Sequence, residues 1–140
     1  MLAVKGKDTR VALAQADNLR GRIATVLSIQ NGVGHDDELA HWAGAGKVLG
    51  ASTIEAATML EPGKVINGMT TPTTAYFGEV DGRPSDRGNA ITEAFNRAGL
   101  ASKCVGNIVQ VQWEKLIQIA NASGFSNGEE ERAIFAGLIA

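Results

Sequence analysis

Residues 23–29 (IATVLSI) and 48–53 (VLGAST) are short apolar runs rich in β-branched and small side chains, with a helix-like stretch between them. Runs of this length and composition suit strands buried on both faces. Gly21 bounds the first run on one side and Asn31-Gly32 on the other. Between the runs, Asp36, Asp37 and Glu38 occupy the first turn of a predicted helix that stops near Gly44. Carboxylates there favour the helix dipole, so the acidic trio needs no metal to explain it. Strand, helix, parallel strand is a βαβ unit, which implies a sheet with helices on its faces. The same rhythm occurs once before. Residues 2–4 end a buried strand, and Asp8 or Thr9 caps a helix reaching about Leu19, with Val11, Leu13 and Leu19 among its apolar positions.

Beyond Thr53 the rhythm changes. Residues 56–60 and 64–69 flank Glu61-Pro62-Gly63 and predict a hairpin, because Pro-Gly suits the middle of a type II turn. Residues 75–80 (AYFGEV) read as a further strand. Residues 85–100 read as a helix with Ile91, Ala94 and Phe95 on one side and Gly99 as its C-cap, and 101–105 as a short strand. A long helix begins at Asn107 and reaches about Ala122 or Ser123. The boundary falls at Gly106, with mixed α/β before it and helix after it. Both ends, the strand-like start and the apolar stretch 133–140, look cut through structure, which suggests a segment of a longer protein.

Composition narrows the function. A hydrophobic fraction of 44% is enough for a core, and with 5% aromatics and 17 glycines small residues do much of the packing. A net charge of −2 argues against a nucleic-acid surface. No run approaches the roughly 20 apolar residues of a membrane span, and the apolar stretch Met1–Val4 is far too short for a signal-peptide core. The single cysteine, Cys104, cannot form an internal disulfide or a multi-cysteine zinc site, so cytoplasm is the default; it reads as a core residue. His35 and His41 are six apart and do not share a helix face, so no metal site is expected. The stretch Gly44-Ala45-Gly46-Lys47 resembles a phosphate loop only at a glance. Val48 stands where Ser or Thr is required, Leu49 stands where the dinucleotide fingerprint needs glycine, and the stretch leads from helix into strand.

Two features carry chemistry. The first is Gln30-Asn31-Gly32-Val33-Gly34, at the carboxyl end of a buried strand. Ligands of open α/β sheets bind at that edge, glycines let backbone approach them, and the Asn31 amide offers both donors and an acceptor. Chemistry alone does not separate this from an ordinary strand-to-helix turn, where Asn-Gly is common. The second is Lys115. At 100° per residue, Gln110, Glu114, Gln118 and Asn121 form a polar stripe, whereas Lys115 falls within the row Ile108, Val111, Ile119 and Ala122. A lysine so placed is poorly hydrated, with a lowered pKa suited to acid–base work. It could equally hold an anionic substrate, or snorkel at the seam with the polar stripe.

Taken together, Val4-Lys5, the Asn31 motif, Gly50-Ala51-Ser52-Thr53 leading to Glu61-Pro62-Gly63, and Trp113-Glu114-Lys115-Leu116 resemble the ketopantoate reductase (2-dehydropantoate 2-reductase) family over about residues 1–125. The resemblance implies an α/β chain. Residues 1–106 would be the second half of a Rossmann-type NADPH-binding domain, and 107–140 the first helices of an all-helical domain. It implies NADPH as cofactor and a small-molecule 2-ketoacid as substrate, with no nucleic acid or membrane partner and with room for a homodimer. Lys115 takes the role of the acid that protonates the carbonyl oxygen as hydride arrives. Asn31 lies near nicotinamide and substrate, and Lys5 and Ala56 match further cofactor contacts. Hydride addition makes an alkoxide, and an ammonium within hydrogen-bonding distance stabilises that charge.

Departures from the family pattern bear on the substrate. The family often places Asn four and eight residues after the lysine; here those positions are Ile119 and Ser123. Ser123 keeps a group that can bond a hydroxyl or carboxylate, Ile119 does not, and Asn121 is turned about 120° away. A small 2-keto acid is therefore the expected substrate class. No Gly-x-Gly-x-x-Gly occurs, so the pyrophosphate has no cradle within these residues, and tight NADPH binding or turnover by them alone is not expected. Two other readings stay open: a neighbouring hydroxyacid dehydrogenase, and a shortened, non-catalytic homologue that associates through an unfinished sheet edge and residues 133–140.

Overall fold

A computed structural model of the chain describes residues 1–55, 57–67 and 72–125, without the side chains of Asn67 and 122–125. Ala56, the end of the expected hairpin at 68–69, and the stretch 133–140 lie outside the described residues.

The expected βαβ relation is present, drawn with short pairings. Ser28 bridges Leu2 and Val26 bridges Val48, both in parallel sense. Bonds from Leu2 N to Leu27 O (2.8 Å) and from Leu49 N to Val26 O (2.9 Å) stitch these segments together. Strand β1 (Gly50–Thr53) continues from there and pairs with β4 (Ala75–Gly78), which pairs in turn with β5 (Ser102–Cys104). The β1–β4 pair is antiparallel and the β4–β5 pair is parallel. Between β1 and β4 the chain makes an excursion through the hairpin β2 (Ala57–Glu61) and β3 (Lys64–Asn67). Gly63 takes φ +84° in its turn, the left-handed conformation that Pro-Gly was expected to supply.

Helices cover both faces, and strand alternation decides which side chain meets which helix. Leu49, Ala51, Ala75 and Phe77 point one way, toward Ile91 and Phe95 of α3 (Asp86–Arg97). Phe77 and Phe95 meet edge to face with ring centres 4.8 Å apart. Val26 and Val48 point the other way, toward Leu13 of α1 (Thr9–Gln15) and Leu39 of α2 (His35–Ala43). Ser85 caps α3 by accepting a bond from Gly88 N at 3.1 Å.

Helix α1 is shorter than its sequence suggests. It ends at Gln15, and residues 17–19 form a separate 3-10 turn. Asp17 and Asn18 compete with helix hydrogen bonding through their short polar side chains, which accounts for the early stop. Asp8 makes no side-chain cap, and of its apolar positions Leu13 is buried while Val11 and Leu19 are exposed.

Helix α4 (Ile108–Phe125) starts directly on the sheet. Gly50 and Gly78 face each other across β1 and β4. A Cβ on Gly50 would stand 2.8 Å from Ile108 Cγ2, and one on Gly78 would stand 2.2 Å from the Val105 carbonyl oxygen. The glycine pair is what lets α4 lie so close, with Ile108 only 1% exposed.

Candidate active site

The Asn31 turn is built by its neighbour. Gln30 folds back on the chain, its Nε2 donating to Val4 O (2.7 Å) and Thr9 Oγ1 (2.9 Å) while its Oε1 accepts from Ser28 Oγ (2.9 Å). With Gln30 so engaged, Asn31 is turned outward. Its side chain is exposed and, among the described residues, its amide has no hydrogen-bond partner. Gly32 (φ +104°) and Gly34 (φ +87°) supply the left-handed backbone that bends the strand end into α2. His35 Nε2 lies 3.0 Å from the Asn31 carbonyl oxygen, and its ring sits against Gly6. The Lys5 segment is thereby held beside the turn. Lys5 itself is exposed, and its carbonyl accepts from Asp8 N at 2.8 Å.

Helix α4 presents an inward row of Ile108, Val111, Gln112, Lys115, Leu116 and Ile119, all buried or half-buried. Gln110, Glu114, Gln118 and Asn121 are exposed, as the polar stripe required. Lys115 therefore sits in the middle of a covered face. Burial holds its ammonium below the ordinary lysine range, and no carboxylate among the described residues pairs with it. Three residues earlier, Gln112 Nε2 donates to Asp36 Oδ2 (2.8 Å) and to the Ala51 carbonyl (3.2 Å). Asp36 belongs to the first turn of α2, five residues after Asn31. The helix carrying Lys115 is thus bonded to the helix that the Asn31 turn opens.

This junction is only partly satisfied. Asp36 Oδ1 is buried without a hydrogen-bond partner among the described residues, as are Ser52 Oγ on β1 and Trp42 Nε1 on α2. Burial pushes the Asp36 carboxyl up, with the Gln112 bond opposing that shift. Sequence reasoning assigned Asp36 to the helix dipole and passed over Gln112. The available signal was that Gln112 shares the face of Ile108, Val111 and Lys115, where a polar residue needs a partner.

Lys5 and Asn31 are exposed beside one turn, and Lys115 is half-buried on the inward row of α4. Ser123 lies within α4, but its side chain and the whole of Ala56 are outside the described residues. Ile119 is half-buried on the inward row. No described helix is long and apolar enough to cross a membrane.

A family model described as ketopantoate reductase PanE/ApbA matches residues 1–82. The 2-dehydropantoate 2-reductase of Archaeoglobus fulgidus is 33% identical over 119 residues, covering 83% of this chain and 37% of that protein. The chain thus spans a little over a third of the length of that relative. Among solved structures, the PanE/ApbA family ketopantoate reductase of Ralstonia eutropha JMP134 is 25% identical with a TM-score of 0.70, covering 96% of this chain and 46% of the other. A D-mandelate dehydrogenase solved with NADH shares the fold at 14% identity and a TM-score of 0.68, covering 99% of this chain and 50% of that one.

Proposed function

The chain belongs to the ketopantoate reductase family, and from that premise we propose that it supplies the proton donor and the nicotinamide side of the cofactor site in an NADPH-dependent reductase of 2-ketoacids. Residues 1–106 would be the rear of the dinucleotide-binding domain and 107–140 the opening of a helical domain. The observation that carries this reading is Lys115, a half-buried ammonium with no counter-ion among the described residues, on a helix bonded to the Asn31 turn.

The residues present fit one end of the cofactor. Two left-handed glycines and an outward, unpaired Asn31 amide stand at the carboxyl end of a buried strand, where dinucleotides bind in open sheets. Asn31, with Lys5 beside it and Ala56, would hold the nicotinamide end. When bound, NADPH supplies the hydride. Lys115 does the rest of the chemistry in this reading. Its ammonium donates a hydrogen bond to the ketone oxygen, gains interaction energy as negative charge grows there, and transfers its proton to give the hydroxyl. A lowered pKa makes that transfer easier than for a solvated lysine. The neutral amine then takes a proton back from water.

Ile119 favours a second reading within the same chemistry. An apolar, half-buried side chain one turn beyond Lys115 suits a hydroxy acid with an apolar substituent better than a polyhydroxy one. Ser123 remains the candidate for a polar substrate contact.

The test is a chimera in which these residues replace the matching segment of the Archaeoglobus fulgidus relative. NADPH oxidation is then followed with 2-dehydropantoate and with 2-ketoacids bearing apolar side chains. Turnover is expected, and Lys115→Ala should lower kcat/KM about a hundredfold, roughly 2.7 kcal/mol of transition-state stabilisation. A folded chimera inactive on every 2-ketoacid, or a Lys115→Ala loss under about tenfold, overturns the proposal.

A further inference from the structure

We propose that Asp36 and Gln112 are a positioning pair that fixes the rotation of α4 and so holds Lys115 at its covered station on the inward row. The inference rests on the reading of Lys115 just given, but its geometry is independent of any ligand. Gln112 and Lys115 are the two polar members of the inward row, three residues apart, hence about 60° apart around the axis and 4.5 Å along it. Any roll of α4 moves both together. An amide nitrogen has two hydrogens, and Gln112 gives one to the first turn of α2 and one to the backbone of β1. Three elements thus meet at one side chain with no donor left over. The glycine pair under Ile108 sets how close α4 lies, but an apolar contact resists rolling poorly. The directional bonds of Gln112 set the angle.

Retaining a half-satisfied carboxylate for this task is costly, because Asp36 Oδ1 has no partner. An apolar contact would stabilise the fold more and orient the helix less. Asp36 does not act as the counter-ion of Lys115, since no ion pair joins them and desolvation alone accounts for the lowered lysine pKa. Its influence therefore runs through Gln112.

The experiment is a titration of the Lys115 side chain in the 13C-lysine-labelled 140-residue chain, with the signal assigned using Lys115→Arg. Removing a nearby negative charge by itself lowers an ammonium's pKa, whereas loosening α4 lets water in and raises it. Asp36→Ala does both, and Asp36→Asn removes the charge while leaving an oxygen to accept from Gln112. The expected result is a rise of about half a pH unit or more in Asp36→Ala and in Gln112→Ala, and none in Asp36→Asn. Equal values in Asp36→Ala and Asp36→Asn, or no rise in Gln112→Ala, overturn the proposal. In the chimera, Asp36→Ala should lower kcat by at least about tenfold with KM little changed, and Asp36→Asn should restore it. If the titration behaves as expected while the chimera is inactive, the positioning stands and the reductase reading fails.

Discussion

Arg87, from α3, and Gln112, from α4, each tie a helix to the neighbourhood of β1, one with every contact answered and the other with contacts left open. Arg87 donates to both Glu79 oxygens (2.7 and 2.5 Å) and to the carbonyls of Gly46 (2.9 Å) and Val48 (3.0 Å). Its side chain is 28% exposed and that of Glu79 14%. Every charge there has a partner, so the cluster is a clamp. It joins α3 to the connector between α2 and β1 and to the end of β4. At the Gln112 junction, Asp36 Oδ1 and Ser52 Oγ are unanswered and Lys115 stands unpaired nearby along the helix. Buried polar groups are nearly always satisfied in native proteins, so the two junctions differ in how fully their polar atoms are met.

The sharpest way to break that contrast is to mutate the clamp. Arg87→Ala leaves two carbonyls and a largely covered carboxylate without their partners, and should destabilise the chain by about 3 kcal/mol in urea unfolding. In the chimera it should leave the kcat of the folded enzyme within about threefold. A loss of under about 1 kcal/mol would show that the clamp is no better than a surface ion pair. Lys115→Met tests the opposite end. It removes a desolvated charge from an apolar row, so stability should rise by about 0.5–1 kcal/mol while the reductase activity of the chimera collapses. A stability loss of more than about 1 kcal/mol would mean that Lys115 is a structural residue.

The sequence showed some of this arrangement and hid the rest for a physical reason. Burial on both faces wrote the runs 23–29 and 48–53 as continuous apolar segments, and Pro62-Gly63 wrote its own turn. Lys115 was legible because helix periodicity is local: Ile108, Val111 and Ile119 mark the face on which it lies. The antiparallel sense of β1 and β4 was not legible, since the hairpin between them carries no statement of direction. The Asp36–Gln112 bond joins residues 76 apart and Arg87–Gly46 joins residues 41 apart, and nothing local encodes either. Asp36 was masked further by a sufficient local explanation, the helix dipole, which serves Asp37 and Glu38 equally well. The close packing of the start of α4 over Gly50 and Gly78 was not legible either, since it depends on a glycine pair brought together across β1 and β4.

The last expected effect separates the two junctions by sign. Hydrogen bonding from Arg87 holds the Glu79 carboxyl below its ordinary value, whereas burial holds Asp36 above its own. For Glu79 the folded state favours the ionised form. Its stabilisation is complete above the ordinary carboxylate value and is lost as the pH falls through the lowered folded pKa. For Asp36 the folded state favours the protonated form. Its contribution is complete below the ordinary value and is lost as the pH rises through the raised folded pKa, leaving a constant penalty at neutrality. Glu79→Gln should therefore be less stable than the parent at pH 7, by about 1–2 kcal/mol, and Asp36→Asn more stable, by about 0.5–1 kcal/mol. The Asp36→Asn difference should shrink as urea unfolding is repeated down to about pH 3, below the ordinary carboxylate range, and the Glu79→Gln difference should shrink only as the pH falls through the lowered folded pKa of Glu79. If Asp36→Asn proved the less stable at pH 7, the Asp36 charge would be stabilising where it stands, and the two junctions would be alike.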